Sequence, residues 1–386
     1  MIRLLPLLCL WAAPSLAASD DAVARCTDLA VAQLAPLAAW SHKDTIHVRG
    51  SVALGAPVYL RLQERMAEIT ADEGERPVFR AELGAGSADS ATDAQTVDLG
   101  ALCGDRVEKA DHPVNVQIVA GMGPLAGAVF VERLASLLPD PSVAHLSVLA
   151  DPNMTASNLR ILGAVDAHFE FLAQAADILA VPCNTYHRFH HHALGHDDRL
   201  DAEADVPWTE RMVGKRSKRR ELRKRGPEGV AQVDAKFLDL VGEVADIVAT
   251  QAQPDDCVYV LSTKSMRRYN LYPLELRRRG LKVCEMSDAQ ALQVQAGIDE
   301  VKEGRDEAGG RLVSQVLEQL PTDGSAHVIL GCTELPLALH AVDLVPSDSA
   351  APAVEIGGRT YYDSINVLAA ATVREIAAKR PDPSLP

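Results

Sequence analysis

Two stretches of the chain place a cysteine where it could do chemistry. One reads Ile178-Leu179-Ala180-Val181-Pro182-Cys183-Asn184-Thr185, the other Val328-Ile329-Leu330-Gly331-Cys332-Thr333-Glu334. Each is an apolar run, then one turn-forming residue, then a cysteine followed by small polar residues able to begin a helix. That is how a buried parallel strand delivers a side chain to its carboxyl end. A thiol ionises at about pH 8.5 when unperturbed, and a helix N-terminus lowers that value, so thiol and thiolate can coexist near neutrality. Two such groups on opposite sides of a substrate can remove a proton from one face of a carbon and return one to the other. A lone cysteine is more often a buried, inert side chain. The repetition of the pattern is what points to chemistry.

The elements needed to hold these residues alternate from Val114 onward. The first half reads as a strand over 114–120, a tight Gly121-Met122-Gly123-Pro124 loop, a helix over 125–138 and a strand over 144–150. A helix over 158–175 then leads to the strand ending at Cys183. The second half reads as a helix near 234–252, a strand over 257–261, a helix over 269–279 and a strand over 281–286. Helices over 289–303 and 311–320 precede the strand to Cys332, and a last helix over 364–378 packs back on the first half. This is right-handed βαβ winding around parallel sheets.

At 386 residues, 47% of them hydrophobic, the chain can build two or three domains with cores of their own. Its formal charge of −15 excludes a general nucleic-acid binder, which needs a net basic surface. Residues 1–18 carry one positive charge at Arg3, an apolar stretch and a small-residue end, and read as a cleaved signal peptide, so the mature protein is expected in the periplasm or secreted. No later stretch is long and apolar enough for a membrane span. In an oxidising compartment Cys26 and Cys103, which bracket the N-terminal segment, are the disulfide candidates. Cys257 and Cys284, in or beside strands, read as buried inert thiols. Residues 19–105 show helical apolar spacing around a Gly/Pro-containing stretch and a polar linker, and read as a small helical module.

Cys183-Asn184-Thr185-Tyr186-His187 and Gly331-Cys332-Thr333-Glu334-Leu335-Pro336 resemble the paired C-N-T-x-H and G-C-T-E-x-P motifs of the aspartate/glutamate racemase superfamily. The resemblance covers residues 114–378. It implies an α/β fold of two pseudo-symmetric parallel-sheet domains with a cleft between them, here preceded by the helical module. The boundaries are 110–210, completed by helix 364–378, and 211–350. It further implies a cofactor-independent amino-acid racemase, with no metal, in which Cys183 and Cys332 are the two bases. Asn184, Thr185, Thr333, Met122 and Gly123 would meet an amino or dicarboxylic acid substrate, and His187 and Glu334 would tune the thiols. Family members are often dimers, which makes a homodimer an expectation here.

The chain departs from the family pattern in places. Ala120 replaces the leading glycine of the first loop, and the carboxylate-gripping arginine falls at Ser157. The family's lysine after the L-A-T signal corresponds to Arg268, which keeps a cation there. The N-terminal module faintly resembles a secreted chorismate mutase domain in its Leu37-Ala38-Ala39-Trp40 and Phe79-Arg80-Ala81-Glu82 segments. The basic residues such a mutase uses fall at Ala30 and Ser41, which implies an appendage without that activity. His187, His190, His191, His192 and His196 include i, i+4 pairs of the kind that hold a metal, although an exposed helix face explains all but His187. Residues 211–225 carry nine basic side chains against Glu221 and read as a solvated segment. Two other readings use the same residues: a cysteine isomerase resembling hydantoin racemases or maleate isomerases, and an exported ligand-binding protein without turnover.

Overall fold

The computed structural model describes residues 19–34, 45–70, 78–83, 96–104, 113–120, 124–150, 176–187, 235–321, 326–346 and 349–380. The signal-peptide reading, the Met122 and Gly123 loop, Ser157, the histidines after His187 and the basic stretch 211–225 all lie outside these residues.

The N-terminal segment gives α1 (Asp20–Leu34), β1 (Thr45–Gly50), α2 (Val52–Thr70), β2 (Val78–Leu83), β3 (Thr96–Asp98) and α3 (Leu99–Cys103). It is therefore not a helical module. In β1 the buried Ile46 and Val48 alternate with His47 and Arg49, and in β2 the buried Phe79, Ala81 and Leu83 alternate with Arg80 and Glu82. That period of two belongs to strands, and it spans segments too short to stand out against the long apolar helix α2. The Phe79-Arg80-Ala81-Glu82 segment likened to a mutase helix is part of β2. A Cys26–Cys103 disulfide, with Cα atoms 5.8 Å apart, fastens α1 to α3.

The first half continues with β4 (Val114–Val119), α4 (Pro124–Leu137), β5 (Ala144–Ala150), β6 (Ile178–Ala180) and β7 (Lys236–Phe237). With the N-terminal strands these form one seven-stranded sheet in the order β3-β1-β2-β5-β4-β6-β7. All its pairings are parallel except β2 against β5, so the N-terminal unit extends the sheet from the edge at β5. The first sheet also reaches past residue 210, because Lys236 and Phe237 pair with Ile178 and Leu179.

The second half comprises α5 (Leu240–Gln251), β8 (Cys257–Ser262), α6 (Lys264–Tyr269), α7 (Leu271–Arg278), β9 (Lys282–Cys284), α8 (Asp288–Lys302), α9 (Asp306–Gln319), β10 (Ala326–Gly331), α10 (Glu334–His340), β11 (Ala353–Ile356), β12 (Arg359–Asp363) and α11 (Ser364–Lys379). Its five-stranded sheet runs β11-β12-β10-β8-β9, parallel except for the β11–β12 hairpin. The two-residue turn of that hairpin is Gly357-Gly358, at φ 58° and 76°, a left-handed conformation that glycine adopts without steric cost. The helix expected over 269–279 is α7, and the short helix α6 precedes it, the two divided where Asn270 takes φ 51°. Cys257 and Cys284 are not inert thiols. They join the neighbouring strands β8 and β9 in a second disulfide, with Cα atoms 5.6 Å apart.

Helix α11 packs against α4 and β6 and so completes the first half from the far end of the chain. Arg374 on it also grips both carboxylate oxygens of Glu243 on α5, each at 2.9 Å. Strand β10, buried at all six residues, carries the second cysteine motif through the middle of its sheet. No helix among the described residues is long and apolar enough to cross a membrane.

Candidate active site

Both motif cysteines stand just beyond the carboxyl ends of parallel strands, one per sheet, and both are buried thiols outside the two disulfides. After β6 the chain turns through Val181 and Pro182. The Val181 carbonyl accepts the Cys183 N–H at 2.8 Å, and Tyr186 N–H closes a helical turn over 184–187 onto the Cys183 carbonyl at 3.1 Å. His187, 1% exposed, places Nε2 3.0 Å from the same Val181 carbonyl. A carbonyl only accepts, so Nε2 carries the proton, and Nδ1 faces the Asp239 carboxylate at 3.6 Å. His187 thus braces the turn that presents Cys183. Cys183 belongs to a buried cluster with Val119, Leu149, Leu179, Val181 and Tyr186. Burial, and then the charge of Cys183, push the Tyr186 hydroxyl up, so it stays a neutral phenol.

Cys332 follows Gly331 directly, and Leu335 N–H bonds back to its carbonyl at 3.0 Å as α10 begins. Its Sγ donates to Glu334 Oε2 at 2.8 Å, and Thr333 Oγ1 reaches the same oxygen at 3.4 Å. Burial, followed by the Glu334 carboxylate, pushes the Cys332 thiol well above its ordinary value, against the opposing pull of Lys302. At neutral pH this sulfur therefore holds its proton, with a carboxylate 2.8 Å away to receive it. Lys302, at the end of α8, feels both thiols. Burial works against its charge, yet Glu334, Cys332, Cys183 and Asp299 together raise its pKa. A cation serving both sulfurs stabilises whichever is the thiolate.

The two motifs are joined across the halves. Thr185 Oγ1 lies 3.1 Å from Oγ1 of Thr263, which also caps α6 by accepting from Met266 N–H at 3.2 Å. Asn184 accepts from the Tyr272 hydroxyl at 2.5 Å and donates through Nδ2 to Ser364 Oγ at 3.2 Å. Ser364 passes its own proton to the Leu330 carbonyl at 2.9 Å. Gly331 is required where it stands, since a Cβ there would lie 2.9 Å from the Tyr272 ring and 3.0 Å from the Leu261 carbonyl.

The residues expected from sequence separate clearly. Cys183, Asn184, Thr185, His187, Cys332, Thr333 and Glu334 are buried in or beside the two motifs. Asn184 and Thr185, expected to meet substrate, hold the halves together in this structure. Arg268 is exposed in the last turn of α6, whereas the cation interacting with both thiols is Lys302, which belongs to neither cysteine motif and was not singled out from sequence. No cluster of metal-ligating side chains occurs among the described residues. A surface cup of about 560 Å³ is lined by Asp246, Glu275, Arg278 and Arg279, where Arg279 pairs with Asp246 and Glu275.

The chain matches solved racemase structures over about two thirds of its length. An aspartate racemase from Picrophilus torridus aligns at 18% identity over 68% of this chain and 94% of its own, with a TM-score of 0.46. An aspartate racemase homologue from Pyrococcus horikoshii aligns at 16% identity over 68% and 99%, TM-score 0.40. A glutamate racemase isoform from Bacillus anthracis aligns at 15% over 70% and 84%, TM-score 0.42. At such identities and scores these likenesses bear on neither reaction nor substrate. No protein-family model matches the chain, and no curated protein does.

Proposed function

We propose that the protein is a cofactor-independent amino-acid racemase of the aspartate/glutamate type that inverts the α-carbon by proton transfer between two thiols. One observation carries this reading. The six described cysteines divide into two disulfides and two buried thiols, and those thiols stand in matching turns just past parallel strands of different sheets. A core needing only small apolar side chains has no use for that arrangement.

In the proposed cycle one sulfur, as thiolate, takes the α-proton, and the other delivers a proton to the opposite face. Cys332 is the sulfur held as thiol, and Glu334 takes up its proton when the reverse direction requires a thiolate. Lys302 offsets the negative charge that accumulates while the α-carbon is deprotonated. An acidic amino acid is the substrate class that suits a half-buried cation whose field reaches both thiols.

We also place the protein outside the cytoplasm. Two disulfides support this, because such bonds persist in oxidising compartments.

The test is α-proton washout in deuterated buffer, followed by NMR and chiral chromatography across L- and D-amino acids. The expected result is washout with inversion, abolished by both Cys183→Ala and Cys332→Ala. Absence of washout from every amino acid, with ligand binding still raising the Tm, would replace the racemase by a binding protein.

A further inference from the structure

Two thiols working from opposite sides of one carbon must keep a fixed separation, and the structure shows what could set it. Tyr272 is a side chain that touches both cysteine motifs. Its hydroxyl donates to the residue after Cys183, and its ring closes over the glycine before Cys332. The ring is 1% exposed, so neither contact competes with bulk water. The donor roles around it are forced. Ser364 gives its one proton to the Leu330 carbonyl, so it must accept from Asn184 Nδ2. That turns Asn184 Oδ1 toward Tyr272, whose hydroxyl must donate. An unbroken path of three hydrogen bonds thus runs from Tyr272 through Asn184 and Ser364 to Leu330, two residues before Cys332. The circuit closes through Gly331, against which the same tyrosine packs.

We propose that Tyr272, acting through Asn184 and Gly331, is a positioning residue that holds Cys183 and Cys332 at the separation proton transfer requires and keeps them from pairing with each other. Keeping the thiols apart matters in a chain that already carries two disulfides. Given an oxidant such as a small-molecule disulfide, two thiols that can meet lose two protons and two electrons to form a new S–S bond. The oxidant is reduced to two thiols. A pair held beyond the roughly 7 Å Cα separation that a disulfide tolerates cannot follow that path. The inference rests on the racemase reading for its purpose, but the separation itself can be measured without turnover.

The experiment compares wild type with Tyr272→Phe, which keeps the ring and removes the donor. Bifunctional alkylating reagents of graded length are applied, and the Cys183–Cys332 cross-link is quantified by peptide mass spectrometry. Wild type is expected to favour one reagent length and to retain both thiols in oxidised glutathione. Tyr272→Phe is expected to accept shorter and longer reagents and to form the Cys183–Cys332 disulfide. In the exchange assay kcat should fall about tenfold while KM moves far less, as a small misplacement of reacting groups would cause. Ser364→Ala, which breaks the same circuit with a smaller change, should shift the cross-link profile in the same direction and serves if Tyr272→Phe does not fold. An unchanged length profile and unchanged resistance to oxidation in a folded variant overturn the proposal, whatever the exchange assay shows. Absence of turnover in wild type overturns the racemase reading alone, since the cross-link profile still decides this one.

Discussion

Cys183 sits among Val119, Leu149, Leu179, Val181 and Tyr186, and the ionisable residue of its motif, His187, is engaged with the Val181 carbonyl and Asp239. Cys332 occupies the equivalent place at the end of its own strand, but its motif turns a carboxylate onto the sulfur. The halves share a strand, a turn and a helix start, and they differ in the ionisable side chain that each motif sets beside its turn. Matching backbones therefore do not make matching acids. The carboxylate lies against the thiol in one half, and a histidine braces the cysteine turn in the other.

That contrast can be broken by removing each motif's ionisable group in turn. Glu334→Gln is expected to lower kcat about a hundredfold, because the Cys332 proton loses its acceptor. His187→Gln should leave kcat near wild type and cost about 1 kcal/mol of stability for the lost bond to the backbone, read by denaturant unfolding. Equal losses of rate in both variants would dissolve the asymmetry.

Gly331→Ala presses first on the second half. The added methyl meets the Tyr272 ring and the Leu261 carbonyl, so stability should drop by about 1–3 kcal/mol, measured as a lower Tm. The rate should fall with it as Cys332 is displaced.

The proton affinity of Cys332 can be followed directly by alkylation with iodoacetamide across pH. Since burial and Glu334 raise its pKa, modification should set in only at alkaline pH. Glu334→Gln should move that onset to lower pH. A profile indifferent to Glu334 would remove the carboxylate from the explanation.

The smallest effect is expected at Asp363, whose buried carboxyl caps α11 through Ile365 N–H at 2.7 Å and Asn366 N–H at 3.2 Å. Burial raises its pKa to about 6, against the two backbone bonds and Arg133. A carboxyl whose folded pKa exceeds its unfolded one favours folding most below the unfolded value, and that contribution is lost as pH rises through about 6. Asp363→Asn keeps an acceptor for the cap and should flatten this part of the stability–pH curve, raising Tm slightly at pH 8 and leaving it nearly unchanged at pH 4.

Sequence disclosed the parts of the site that are local. Strand, turn, cysteine and helix start follow one another within eight residues, and local spacing is what periodicity reports. Much of the alternation of strands and helices among the described residues from Val114 to α11 was legible for the same reason, although the β11–β12 hairpin was not expected and the helix read over 158–175 lies outside those residues. Lys302 was not, because it ends an amphipathic helix in which a lysine is the ordinary last-turn residue. The Asn184–Tyr272 and Thr185–Thr263 bonds join residues far apart in the chain, and only the docking of the halves brings them together. The Cys257–Cys284 bond needed the strand order, which places β9 beside β8. In the N-terminal unit, short strands with charged outward residues were overshadowed by the helical spacing of α1 and α2.

The return of α11 to the first half sets the order in which the molecule can be finished. α4 and β6 are synthesised long before the helix that covers them, so until Ser364–Lys379 exists they expose an apolar face. The halves cannot mature one after the other like beads. Their contacts are of long sequence range, which slows folding and leaves the early segments in need of protection meanwhile. A chain stopped just before Ser364 would contain both cysteine motifs and both disulfides. It would still lack the surface against which its own first half closes, and would meet proteases before it met substrate.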